Sequence, residues 1–481
     1  MKGGANWPAG RDRGRVRVNS RRDLPEESDT VSINIMRVKK KALELIARIE
    51  CEGAYTHLVM QGVAESGELS STEYPVLLQL VKGTLEQRGI LEDRLEQFLP
   101  KGLDSLPLEV QHALRLGAYQ ILFLERAKKR DAVYESVELI KESRWKGFAS
   151  LVNAVLRKID PPDAAVAGQS AATATRNFPD WLVARWIEQH GAANVEQFCA
   201  VRGADLPVYC RVNTRMISRA ELRTILAAEG VVSEEVAFSP HSLQITEIPP
   251  TVRIPKLKSY RDGLFFIQDA SSTIVADIVA SSSPLRVRDL CAAPGGKTCS
   301  VALSIAANGG TVYASDRSPQ RVNLITELTT RLGLSNIETE VFELSDTNNL
   351  AHNDASTGSY DAVLLDVPCS GFGTVGRKID ARWSTSEKDL AALKEKQLAF
   401  LKVAARFVSA GGVLVYSTCS IDKAENEEVL DEFLRLRSDF VREALNDILP
   451  GSMCTELGDF RSWPQRHGMT GAFAARLRQI G

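Results

Sequence analysis

The sequence predicts a multidomain fold: an all-helical bundle, a small α+β domain, and an α/β domain on a doubly wound parallel sheet. Three observations carry this. From about Ile35 to Ile159 apolar residues recur at spacings of three and four, with few β-branched clusters between them. The stretch "DPPDAAVAGQSAATAT" then breaks the periodicity with proline, glycine, alanine and serine, as an exposed linker does. From about Leu285 onward, short strand-like runs alternate with helical ones, the pattern of buried parallel strands joined by helices.

In order, "RVKKKALELIARIE", "EYPVLLQLVKGTLEQR", "EVQHALRLGAYQILFLER" and "AVYESVELIKES" supply the helices of the bundle. After the linker come an amphipathic helix, "PDWLVARWIEQHG", and a short strand, "PVYCRVN". The next helix, "SRAELRTILAAEG", has a serine cap before it and a glycine stop after it. In the last region the strands are "LRVRDL", "GTVYASD", "IETEVFE", "YDAVLLDV" and "GGVLVYST". The helices between them include "SPQRVNLITELTTRLG" and a long run, "SEKDLAALKEKQLAFLKVAARFVSAGG". The expected boundaries are 1–34 for a disordered arginine-rich tail, 35–160 for the bundle and 161–176 for the linker. The small domain is expected over 177–261 and the α/β domain over 262–481.

Bulk properties exclude more than they assign. A net charge of −2 over 481 residues offers no general affinity for nucleic acid, so any basic surface is local. The tail "GRDRGRVRVNSRR" is one such place and reads as a disordered segment with weak phosphate affinity. No stretch is long and apolar enough to be expected in a membrane. The 8 cysteines form no C-x-x-C pair, which argues against a zinc ribbon or a disulfide framework and fits a reducing cytoplasm. Cys51, Cys199, Cys210, Cys299 and Cys454 are expected to be small buried hydrophobes.

The chemistry gathers at the strand ends, where open α/β sheets bind their ligands. In "DLCAAPGGKTCS" a strand runs through Cys291, Ala292, Ala293, Pro294, Gly295 and Gly296 into a helix starting near Lys297. Glycines let a ligand approach the backbone, and a helix start offers free N–H groups to a carboxylate or phosphate. A triphosphate-binding loop would need glycine at position 291, which is a cysteine. Asp316 ends the next strand, placed to bond a ribose hydroxyl pair or to cap the helix beginning at Ser318. Glu343 ends the third strand, so three successive strand ends describe an adenosine pocket.

Asp366, Pro368 and Cys369 follow the fourth strand, and Cys419 follows the fifth. Proline cannot extend a ladder and turns the chain out of the sheet, which presents Cys369 to a crevice rather than a core. An adenosine site, two thiols and an acid suit methyl transfer to carbon 5 of a pyrimidine. That carbon is a poor nucleophile until a thiolate adds to carbon 6. Asp366 would then serve the ring nitrogen as charge builds there, and a second group would remove the carbon 5 proton. Lys297 or a helix start can lower a thiol pKa enough for the addition.

The motifs "DLCAAPGGKT", "LLDVPCSGFG", "YSTCSIDKAENE" and "PQRHGMTGAFAARL" resemble the RNA 5-methylcytosine methyltransferases that use S-adenosylmethionine. The runs "LVKGTLEQR", "LRLGAYQILFLE" and "LVNAVLRK" resemble the NusB-type helical RNA-binding domain. In this order the two resemble the bacterial RsmB (Sun, Fmu) group of ribosomal RNA (cytosine-5)-methyltransferases. The resemblance implies a NusB-like bundle, a small RNA-binding domain and a Rossmann-like methyltransferase domain acting as a monomer on small-subunit ribosomal RNA. It also implies roles: Cys419 as nucleophile and Cys369 in product release. S-adenosylmethionine would be held by residues 291–297, Asp316, Glu343 and Asp366. The family usually has aspartate where Glu343 stands, proline where Ile379 stands and often aspartate where Thr470 stands. The last two lie in segments expected to shape the RNA side of the cleft. A DNA methyltransferase is disfavoured by the second, Thr-Cys motif and by the helical N-terminal region. A scaffold with a decayed catalytic half is disfavoured because Cys419, Asp366 and the glycine turn are intact.

Overall fold

The computed structural model describes residues 34–125, 127–160, 171–249, 252–345 and 358–481. The arginine-rich tail, apart from Asn34, and residues 161–170 of the expected linker lie outside the described residues. Helices Ile35–Glu52, Thr56–Ser66, Glu73–Glu86, Arg88–Glu96, Leu108–Phe123, Lys129–Lys141 and Ala149–Lys158 form the bundle. The helix Leu108–Phe123 is its axis and is buried along most of its length. It also carries a charge inward: Arg115 donates to the two carboxylate oxygens of Glu50 at 2.9 and 2.7 Å. Burial would push the Glu50 carboxyl up, but His112, Arg115 and Arg88 outweigh it and hold the group down at about 2.

The expected linker ends sooner than residue 176. Ala171–Ala174 is a helical turn, and Ala174 is buried beside Phe178 and Trp186. Small alanines read as linker composition, yet they suit close packing against aromatic rings. The bundle is fastened just after this point. Asn177 donates to Gln87 at 3.0 Å and accepts from the Ile90 N–H at 3.3 Å. Arg382, fully buried, donates to the Glu86 carbonyl at 3.1 Å and to the Val375 carbonyl at 3.2 Å. Its guanidinium lies 4.6 Å over the Phe178 ring, and Arg88 lies 4.6 Å over Trp383.

The small domain holds strands β1 (Val208–Val212), β2 (Val232–Glu235), β3 (Ser242–Glu247) and β4 (Phe265–Ile267). They form one antiparallel sheet in the order β2-β3-β1-β4. The boundary expected after residue 261 therefore falls too early, because the chain returns beyond it to pair β4 with β1. Three residues, "FFI", are too short for an alternation to show. The helix Arg219–Ala228 starts at Ser218 with a full capping box to Glu221, as its serine predicts.

The last domain adds β5 (Arg286–Asp289), β6 (Thr311–Asp316), β7 (Ile337–Val341), β8 (Tyr360–Asp366) and β9 (Val408–Thr418). They are followed by β10 (Phe440–Glu443), β11 (Phe460–Ser462) and β12 (Ala472–Gln479). The sheet order is β10-β12-β9-β8-β5-β6-β7, with β11 on β12. Strands β5 to β9 are parallel, and their order reverses between β5 and β8. β12 enters antiparallel between β9 and β10, so the sheet is mixed rather than wholly parallel. The long helix expected through Gly412 stops at Ala404, and β9 begins at Val408. Gly411, at φ +75°, cannot continue a helix, and Val408 pairs instead with Tyr360.

Among the described residues, no helix is long and apolar enough to cross a membrane. Cys199, Cys210 and Cys299 are buried as expected, whereas Cys51 is exposed and Cys454 only half-buried. Cys51 sits in the last turn of its helix, where the apolar stripe has run out.

Candidate active site

β5 delivers the glycine turn. Gly295 takes φ +98°, and a Cβ there would sit 3.1 Å from the Ile325 Cα, so only glycine fits. The helix Gly296–Ile305 follows with no side-chain cap, leaving its first N–H groups to a ligand. Asp316, at the end of β6, is buried beneath the turn. It accepts from the Ala293 N–H at 3.0 Å, the Arg317 N–H at 2.8 Å and Arg321 Nε at 2.6 Å. The capping role is taken by Ser318 itself, which starts the helix Pro319–Leu332. Asp316 is thus part of the cradle. Glu343 stands two residues beyond the end of β7 and accepts from the Ser345 hydroxyl at 2.6 Å. Among the described residues, none of its hydrogen bonds reaches the turn, Asp316 or the thiols.

Across the switch point the second half of the site assembles. Asp366 and Ser417 are register partners on β8 and β9, and the Ser417 hydroxyl donates to Asp366 Oδ1 at 2.7 Å. Lys297 donates to Asp366 Oδ2, also at 2.7 Å. Burial pulls the Lys297 ammonium down, but the Asp366 carboxylate outweighs it and the group stays charged, above its ordinary range. Cys291, half-buried, packs against the apolar side chains of β8 and β9, and burial pushes its thiol far up. It fills space.

The two thiols meet. Cys369 Sγ and Cys419 Sγ are 3.2 Å apart, and both are half-buried. The hydrogen bond between them divides their acidity. It pulls Cys419 below the ordinary thiol value, with Lys378 and Lys297 helping and burial and Asp366 opposing. The same bond raises Cys369, with burial and the negative charges of Cys419 and Glu425 added. The pair therefore favours Cys369 as the donor and Cys419 as the more acidic thiol.

A third carboxylate lies under the pair. Glu425, fully buried, accepts from the Ser370 N–H at 2.8 Å, the Ser370 hydroxyl at 2.5 Å and Gln397 Nε2 at 3.0 Å. Gln397 also donates to the Pro368 carbonyl at 3.1 Å. The Cys419 loop has its own supports. Thr418 donates to Asn426 at 2.6 Å, and Arg185 grips Asp422 with two bonds at 2.7 and 2.9 Å. Gly373 closes the floor: its N–H donates to the Cys419 carbonyl, and a Cβ there would lie 1.9 Å from the Gly471 carbonyl oxygen. Ile379 and Thr470 are both buried, and the Thr470 N–H donates to Asp269 at 3.2 Å.

A glycine turn, an acid at the neighbouring strand end and paired thiols across a switch point define a methyltransferase of the S-adenosylmethionine-dependent class. Comparison with known proteins agrees. Residues 279–478 match the model of the 16S rRNA methyltransferase RsmB/F family. Residues 36–161 match the NusB family, and 178–251 the ferredoxin-like domain of RsmF/B-like methyltransferases. A Bacillus subtilis (strain 168) protein named probable ribosomal RNA small subunit methyltransferase B is 34% identical over 452 residues, covering 92% of this chain and 99% of its own. A crystal structure titled PH0851 covers 92% of this chain and 98% of its own, with a TM-score of 0.72 at 23% identity. A methyltransferase homolog from Pyrococcus horikoshii covers 65% of this chain and 99% of its own, with a TM-score of 0.53 at 26% identity. The chain belongs to the 16S rRNA methyltransferase RsmB/F family. Its cofactor is S-adenosylmethionine. The uncapped helix start suits the cofactor's carboxylate, and the acid at the end of β6 suits its ribose side.

Proposed function

We propose that this protein methylates carbon 5 of a cytosine in small-subunit ribosomal RNA through a covalent bond between Cys419 and carbon 6. One observation carries the reading: two thiols of opposite acidity lie 3.2 Å apart beside Asp366. The Cys419 thiolate attacks carbon 6, and Asp366 passes a proton from Lys297 to the ring nitrogen as charge collects there, taking it back when the thiolate leaves. S-adenosylmethionine, held by residues 291–297, Asp316 and Asp366, supplies the electrophilic methyl group that carbon 5 takes. Bonding of the Cys419 sulfur to carbon removes the hydrogen-bond acceptor that kept Cys369 protonated. Cys369 then loses its proton to solvent and takes the one on carbon 5. The C–H electron pair forms the carbon 5–carbon 6 double bond, and the sulfur–carbon pair returns to Cys419 as thiolate.

In this reading the bundle, 35–160, and the small domain grip RNA, and the protein works as a cytoplasmic monomer. Glu343 serves the adenosine side of the cofactor site. The test is transfer of labelled methyl to purified small-subunit RNA and to DNA, with 5-methylcytosine mapped in the product. Label on an RNA cytosine is expected. Label on DNA alone, or on another atom, overturns the proposal.

A further inference from the structure

The peptide on either side of Cys369 is held by one buried group. Before it, the Pro368 carbonyl accepts from Gln397 Nε2. After it, the Ser370 N–H and hydroxyl donate to Glu425. Gln397 donates to Glu425 as well, which closes the bracket. The Tyr416 hydroxyl, donating to the Glu425 carbonyl at 2.6 Å, ties the bracket to β9, the strand that ends in the Cys419 loop. Among the described residues no cation pairs with Glu425, so a buried carboxylate is held by neutral donors alone. That arrangement is costly for stability and calls for another use.

We infer that Glu425 is a positioning residue for Cys369, fixing the second thiol at bonding distance from the first through Ser370 and Gln397. The inference rests on the reading of Cys369 as the group that releases the product. Glu425 touches neither the base nor the cofactor. Its loss frees the backbone on both sides of Cys369, so the thiol misses the carbon 5 proton while Cys419 still attacks.

The experiment uses the full-length E425Q and Q397M variants with small-subunit RNA and labelled S-adenosylmethionine. Quench points on denaturing gels separate the first methyl transfer from decay of the protein–RNA adduct. Expected is a first transfer within about threefold of wild type and adduct decay slowed by about tenfold or more in both variants. S-adenosylhomocysteine binding should be unchanged, which shows an intact fold. A second readout is independent of RNA: iodoacetamide should alkylate Cys369 faster at pH 7 in E425Q than in wild type. Adduct decay at the wild-type rate in both variants, with unchanged Cys369 alkylation, overturns the inference. Equal slowing of transfer and decay also overturns it, because a merely structural residue would do that. A C369A control that releases its adduct normally would refute the release reading instead, and the alkylation readout would still test the position of Cys369.

Discussion

The two thiol loops leave adjacent parallel strands in the same direction and carry the same reactive group, yet they are built differently. Cys369 follows a proline and is pinned through its neighbours by a buried glutamine and a buried carboxylate. Cys419 ends the longer strand and is supported by neutral Thr418–Asn426 bonds, with two lysines favouring its charge. The hydrogen bond between the sulfurs, with the charges around them, thus makes Cys419 the more acidic of the two. Acidity here is set by the contact between the loops and by what packs around them.

Substitutions can break this division. Cys419→Ala should lower methyl transfer by at least about 10³-fold and give no protein–RNA adduct on denaturing gels. Cys369→Ala removes the hydrogen bond that lowers Cys419, so the first transfer should slow modestly, while turnover slows by about 10²-fold with the adduct persisting. If the Cys419 variant traps RNA instead, the two roles are reversed. Lys297→Met sharpens the electrostatic side. Its ammonium favours the Cys419 thiolate, so removing it raises that thiol. The low-pH limb of single-turnover rate should move toward higher pH, with about tenfold less transfer at neutral pH. The smallest effect on chemistry should come from Arg382→Met, far from the cofactor turn. It leaves the Glu86 and Val375 carbonyls without their buried donor and should cost about 3 kcal/mol in denaturant unfolding, with cofactor binding retained.

Much of this was legible in the sequence because the reacting groups sit at strand ends, where glycine, proline and cysteine interrupt apolar runs. The glycine turn, Asp316, Asp366 and both thiols all lie at such interruptions. Glu425 and Gln397 do not. One hides in the charged string "DKAENEE" and the other in an amphipathic helix, and each looks like a solvated position until the fold buries it. The same limit applied to β4 and to the turn at Ala171, whose pairing partners are remote in the chain. Glu343 stands two residues beyond β7, a strand shorter than "IETEVFE" predicts, and its place on the adenosine side belongs to the proposal. Ile379 and Thr470 stand in segments expected to shape the RNA side of the cleft, and both side chains are buried.

The fastening of the bundle has a consequence for substrate choice. Arg382, which latches onto the end of one bundle helix, lies only a short loop beyond Cys369. A ribosomal RNA gripped by the bundle would therefore be measured from a fixed origin, as with a calliper. Under the proposed function, the enzyme would select its cytosine by distance along a folded RNA as much as by the letters around it.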